Sequence, residues 1–160
     1  MLRKLIKRFI KAVIEMLHTV SQALTPEAFC SLRATAAFQP YSLEDAAAAL
    51  AGTLYTAEVR DGGATVGIAR IVGDGRLAFF IKDVVVDPAY RGQGIGRMLM
   101  EALFAYIRRH GCKSAYVGLM AAPGTEEFYE RFGFIRRPAP GLGHGMVLFL
   151  DAEPPKPAEQ

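Results

Sequence analysis

From Leu54 onward the apolar pattern changes to three runs rich in β-formers, "LYTAEVR", "ATVGIARIV" and "RLAFFIKDVVV", with "DGG" and "GDG" between them. That pattern, broken by Gly/Asp turns, predicts three strands joined as an antiparallel meander. Upstream the spacing is helical. Thr25 as N-cap, Pro26 at the first helical position and Glu27 in the first turn predict a helix to about Phe38. Ser42, Asp45 and the stop at Gly52 predict a second. A short strand is expected around His18 to Ser21. Beyond Pro88 the pattern predicts a helix from about Gly94 to His110, a strand "SAYVGLM", a short helix "GTEEFYERFG", and a final strand pair around "FIRRP" and "GMVLFL". A strand, helix and strand at that spacing imply a parallel pair with a right-handed crossover inside a mostly antiparallel twisted sheet. The fold class is therefore mixed α/β, with helices flanking the sheet.

Charge changes the picture at one end only. Residues 1–15 hold Arg3, Lys4, Lys7, Arg8 and Lys11 against Glu15, a balance of +4, so the remaining chain carries −1 of the overall +3. The basic pI of about 9.0 belongs to that segment, and no DNA partner is expected of the rest. Leu2, Leu5, Ile6, Phe9, Val13, Met16 and Leu17 share one face of the segment as a helix. It reads as a basic amphipathic extension that packs on the domain, contacts a partner or lies on a membrane surface, with Met16 as an alternative natural start. A single domain over 16–150 and a disordered Pro-rich tail over 151–160 complete the expected organisation. A homodimer stays open. Cys30 and Cys112 stand far apart, outside any disulfide or zinc spacing. No metal is expected, and a reduced, cytoplasmic setting is the default.

The glycine-rich stretch "RGQGIG" (Arg91, Gly92, Gln93, Gly94, Ile95, Gly96) follows the apolar run Val84, Val85, Val86 and opens the long helix. Backbone N–H groups at such a helix start bind anions, and glycines admit a phosphate without Cβ interference. A Rossmann loop or a P-loop beginning at Gly92 requires glycine where Arg97 stands, so both fail. A tight connection whose glycines only permit positive φ is the plain alternative. The spacing R/Q-x-x-G-x-G/A is met by Arg91, Gly94 and Gly96. With "DVVVDP" before it and "FYERFGF" about 30 residues on, the chain resembles the GCN5-related N-acetyltransferase (GNAT) superfamily from about Thr25 to Leu150.

The resemblance implies a GNAT-like fold in which the parallel strands splay, and an enzyme that moves an acetyl group from acetyl-CoA to a primary amine of a small molecule or lysine by direct attack. It implies acetyl-CoA as cosubstrate, its pyrophosphate in the loop Arg91 to Arg97, and its chain along Val84, Val85 and Val86. The N–H of Val85 or Val86 would then face the developing oxyanion. It also assigns Tyr129 as the acid that protonates the leaving thiolate, against the alternative of a tyrosine anchored at the core edge.

A lysine-like amine has a pKa of about 10.4, so roughly one molecule in a thousand is neutral at pH 7 and a base is wanted. Asp83 is the candidate. Strict alternation places it with Leu77, Phe79, Ile81 and Val85 on one apolar face, where desolvation would suit a base. Lys82, on the opposite face, stands where some relatives have glutamate. The alternative is a structural aspartate that bonds backbone or Arg33, and a bulge would invert the parity. Arg33, Phe38, Tyr41 and the loop residue His144 are candidates for the acceptor site, although Arg33 could brace Asp83 or Glu44 and His144 could be merely solvated. Two other functions stay open: an acyl-CoA-binding sensor or scaffold without turnover, and an acetyltransferase acting on aminoacyl-tRNA.

Overall fold

The computed structural model describes residues 18–21 and 24–149. The expected N-terminal extension, the Met16 start and the tail over 151–160 lie outside the described residues. In chain order the elements are β1 (His18–Ser21), α1 (Pro26–Thr35), α2 (Leu43–Ala51), β2 (Tyr55–Asp61), β3 (Ala64–Gly73), β4 (Ala78–Val86), a 3-10 turn (Pro88–Tyr90), α3 (Ile95–His110), β5 (Tyr116–Leu119) and α4 (Glu126–Glu130). Both N-caps form as the sequence predicts. Thr25 Oγ1 accepts from the Ala28 N–H at 3.2 Å, and Ser42 Oγ accepts from the Asp45 N–H at 3.0 Å, contacts worth about 1 kcal/mol each. Helix α1 stops three residues short of the expected end, because Ala37 turns left-handed at φ 53 and breaks the helical path.

The chain divides into two compact units, one ending at Met120 and one beginning at Ala121. The first holds a five-stranded sheet in the order β1-β2-β3-β4-β5. The meander is antiparallel and β4 pairs with β5 in parallel across the α3 crossover, as predicted. One face packs on α3, whose buried residues Ile95, Leu99, Met100, Leu103 and Ile107 form a helical stripe, each worth about 1.5–3 kcal/mol when fully buried. The other face, through Ile68 and Val85, meets Phe29, Leu32 and Ala46 of α1 and α2.

Strand β4 departs from simple alternation. Ile68 pairs with Val85 and Arg70 with Lys82, so Asp83 and Val84 together stand opposite the single residue Ala69. This is a β-bulge, and Asp83 sits within it at φ 54. The expected common face is therefore wrong in part. Phe79 lies on the α3 side, within 3.0 Å of where a Gly111 Cβ would be, and alternation puts Ile81 with it. Val85 packs with α1 and α2, and Asp83 bonds Arg33 of α1. Leu77, expected on the same buried face, is 63% exposed before the strand begins. Nor are Lys82 and Asp83 opposed: Arg70, the cross-strand neighbour of Lys82, reaches Asp83, so both project to the α1 side.

In the second unit α4 is followed by irregular backbone. The final strand pair does not form among the described residues; Ala139 and Leu142 make one isolated bridge. Pro138 and Pro140 lack the N–H a ladder needs, and Met146 to Phe149 are exposed without a strand partner. Arg136 clasps Glu130 with two bonds, Nε to Oε1 at 2.6 Å and Nη2 to Oε2 at 2.9 Å.

Candidate active site

The glycine loop leaves open space at an uncapped helix start. Gly92 and Gly94 take φ 76 and 87, and a Cβ on either would meet nothing within 4 Å, so the space above both is open. Gly94 is the N-cap of α3 and supplies no side-chain cap. The first intrahelical donor is the Met98 N–H, to Gly94 O at 3.0 Å, which leaves the amides of Ile95, Gly96 and Arg97 without intrahelical acceptors. Positive φ at two positions and three such donors at the positive end of a sixteen-residue helix fit a pyrophosphate. The side chains contribute less than the sequence suggested. Ile95 is 1% exposed, so only its backbone faces a ligand. Arg97 pairs with Glu101 at 2.7 Å, Arg91 reaches Val86 O at 3.5 Å, and Gln93 donates to Ala89 O at 3.3 Å.

Behind the loop, β4 offers an open edge. Its ladder with β5 ends at Ile81↔Leu119, and no strand among the described residues pairs with Val84 to Val86 on that side. The Asp87 N–H donates to Val66 O of β3 at 2.9 Å. Successive peptide groups point to opposite edges, so the Val85 N–H also faces β3, whereas that of Val86 faces the open side. Of the two expected oxyanion donors, Val86 alone has that orientation. The Tyr90 hydroxyl donates to Asp61 Oδ2 at 3.0 Å, a bond that raises its pKa and ties the turn ahead of the loop to β2.

Asp83 is buried and fully engaged. One carboxylate oxygen accepts from Arg33 Nη1 and the other from Arg70 Nε at 2.5 Å. A carboxylate held by two guanidiniums from different elements has the geometry of the structural alternative rather than of a free base. Holding Asp83 left-handed costs about 1–2 kcal/mol, which these charge-assisted bonds offset. Arg33 is equally committed: Nη2 donates to Gln39 O at 2.9 Å, and its guanidinium carbon lies 4.8–5.2 Å from the rings of Phe29, Phe38 and Tyr41. Arg33, Phe38 and Tyr41 thus come together as expected, around a cleft of about 60 Å³ that Cys30 also borders. It is several-fold smaller than the few hundred Å³ a bound small molecule fills.

Arg70 is the residue that sequence reading missed. The signal was there, an arginine inside "GIARIV", but only the bulged register brings it to Asp83. In the second unit Tyr129 is half-buried, its ring 5.0 Å from Phe128 and 6.2 Å from Phe134, and burial pushes its phenol above the ordinary tyrosine pKa. Phe128 and Phe132 meet edge-on at 5.2 Å, and His144 is exposed.

A model of the acetyltransferase (GNAT) domain matches residues 51–136, more than half of the chain. The chain belongs to the GNAT acetyltransferase family. A crystal structure of a probable acetyltransferase from meticillin-resistant Staphylococcus aureus superposes on this fold with a TM-score of 0.75 at 32% identity, covering 82% of this chain and 99% of that one. A GNAT family protein from Streptococcus pneumoniae gives 0.68 at 26% identity, over 84% and 98%. Among curated relatives, serotonin N-acetyltransferase 2 of rice is 40% identical over 76 residues, 48% of this chain and 37% of that protein. Glucosamine 6-phosphate N-acetyltransferase of Trypanosoma brucei is 43% identical over 60 residues, 38% and 40%. The matches thus span about two fifths of those relatives' own length. Among the described residues no helix is long and apolar enough to cross a membrane.

Proposed function

We propose that this GNAT member transfers an acetyl group from acetyl-CoA to a primary amine of a small molecule. The observation that carries the reading is the continuity of the open β4 edge with the uncapped start of α3: a strand edge for an extended chain leads into an anion cradle. Two relatives named for serotonin and glucosamine 6-phosphate, both primary amines, support the acceptor class.

Acetyl-CoA supplies the thioester. The amides of Ile95, Gly96 and Arg97 hold its pyrophosphate, and the Val86 N–H donates to the carbonyl oxygen as negative charge develops there. As the amine nitrogen bonds to the carbonyl carbon, the C–S bond breaks. The amine's proton leaves to water, since both oxygens of Asp83 are occupied, and the Tyr129 phenol protonates the departing thiolate. Its upward shift keeps the phenol protonated through neutral pH.

The test is thiol release from acetyl-CoA across a panel of arylalkylamines, amino sugars and a lysine peptide. Thiol and N-acetylated product should appear in equal amounts with at least one amine. Calorimetric binding of acetyl-CoA without release from any would instead favour a non-catalytic CoA binder. Tyr129→Phe should lower kcat by about a hundredfold at little change in KM. The wild-type rate should rise through the alkaline range as the amine loses its proton and turn down where the raised Tyr129 phenol ionises, a downturn that Tyr129→Phe should lack. An unaltered kcat removes Tyr129 from the chemistry.

A further inference from the structure

Asp83 stands where the sheet opens. The β4–β5 ladder ends at Ile81 and the bulge begins two residues later, so the conformation at Asp83 sets the course of Val84 to Val86. Two arginines from different elements fix that conformation, Arg33 from α1 and Arg70 from β3. Each is anchored again elsewhere. Arg33 Nη2 holds Gln39 O in the segment after α1, and its guanidinium lies against Phe38 and Tyr41. Arg70 Nη1 reaches Thr53 Oγ1 at 3.2 Å, and that hydroxyl donates to Ala49 O of α2 at 2.9 Å.

We propose that Arg70, Asp83 and Arg33 form a positioning clamp that fixes the β4 bulge, aims the Val86 amide, and ties that aim to the loop over residues 37–41, which lines the small cleft beside Arg33. The proposal rests on the reading of the open β4 edge as the thioester's place. Its logic is electrostatic. A carboxylate between two guanidiniums offsets their mutual repulsion, and with the carboxylate gone two like charges face each other in a buried setting. Loss of either arginine leaves a buried carboxylate with one partner where the strained backbone needs two. Asp83→Asn thus breaks the clamp without removing a base, and a drop in activity alone does not distinguish the two roles.

The discriminating measurement is a split between kinetic parameters and pH. In Arg70→Met, kcat should fall about tenfold or more, the scale of a small misplacement of reacting groups. KM for acetyl-CoA should change far less, because the glycine cradle is untouched. Arg70→Lys, which keeps the charge and one donor, should restore part of kcat. The kcat loss in Asp83→Asn should be the same at neutral and alkaline pH. Recovery of Asp83→Asn at high pH would restore the base reading and overturn the clamp, as would full kcat in Arg70→Met.

A second readout needs no turnover. The NMR resonances of the Asp83 to Val86 amides should shift in Arg70→Met, and less in Arg70→Lys. Unmoved amides in Arg70→Met overturn the clamp. A wild-type protein that releases no thiol from any amine, yet shows these shifts, would defeat the acetyltransferase reading and leave the clamp standing.

Discussion

The glycine loop and the β4 bulge lie at opposite ends of one short segment, and they are made in opposite ways. The loop is local: Gly92 and Gly94 set their own backbone angles, and the helix that follows supplies the field. The bulge is held from afar, its aspartate bonded to an arginine 50 residues upstream and to another 13 residues away on the next strand. A feature written in consecutive residues should fail when its own backbone is altered. A feature held by distant side chains should fail when they are.

The sharpest break falls on the loop. Gly94→Val forces a β-branched residue into the left-handed region, where such residues are outliers, and puts a side chain in the open space above the loop. We expect the Kd for acetyl-CoA to rise about a hundredfold or more, a loss of roughly 2.7 kcal/mol, while the protein stays folded at some cost in Tm, since a Cβ at this position meets nothing within 4 Å and the strain is confined to the loop. Calorimetry together with a thermal melt checks both halves. Wild-type affinity would remove the loop from the site.

This contrast explains what was legible. The meander, the capped helices, the crossover and the loop each declare themselves in local pattern, and all of them form, the first helix three residues shorter than expected. The bulge is hard to read, because "IKDVVV" places two polar residues side by side and then three valines, a pattern that fixes neither parity nor an extra residue; the face assigned to Asp83 therefore rests on the wrong neighbours. Its bond to Arg33 was foreseen as an alternative, but Arg70 was not, since cross-strand register is what joins them. The final strands misled for a related reason. The unbroken apolar run in "GMVLFL" indicates a segment able to pair, and pairing requires a neighbour that local pattern does not supply.

Gly67 tests the comparison from between its two terms, since the loop is local but the helix behind it is seated on the sheet by packing. A Cβ at Gly67 would come within 2.6 Å of Ile95 Cγ2 and 3.3 Å of Leu99 Cδ1. Gly67→Ala should therefore push the first turn of α3 off β3 and destabilise the fold by about 1–3 kcal/mol. Acetyl-CoA affinity should fall several-fold as the cradle amides shift. Chemical denaturation gives the first effect and calorimetry the second. Destabilisation without any loss of affinity would mean that the cradle keeps its geometry independently of where α3 sits.

The smallest effect belongs to a wholly local device, the β3–β4 turn. Asp74 Oδ1 accepts from the N–H groups of Arg76, Leu77 and Ala78 at 2.8, 2.7 and 3.1 Å. These backbone donors, that of Arg76 first, lower its pKa below the ordinary aspartate value. The folded-state pKa is thus depressed relative to the unfolded chain, so the stabilisation is fully present above about pH 3.9 and is lost as pH falls through the folded value. Asp74→Ala should lower Tm slightly at neutral pH, with the gap to wild type narrowing in acid. Thermal melts across that range decide it: a gap that does not change with pH would mean the turn is held by its glycines and not by the carboxylate.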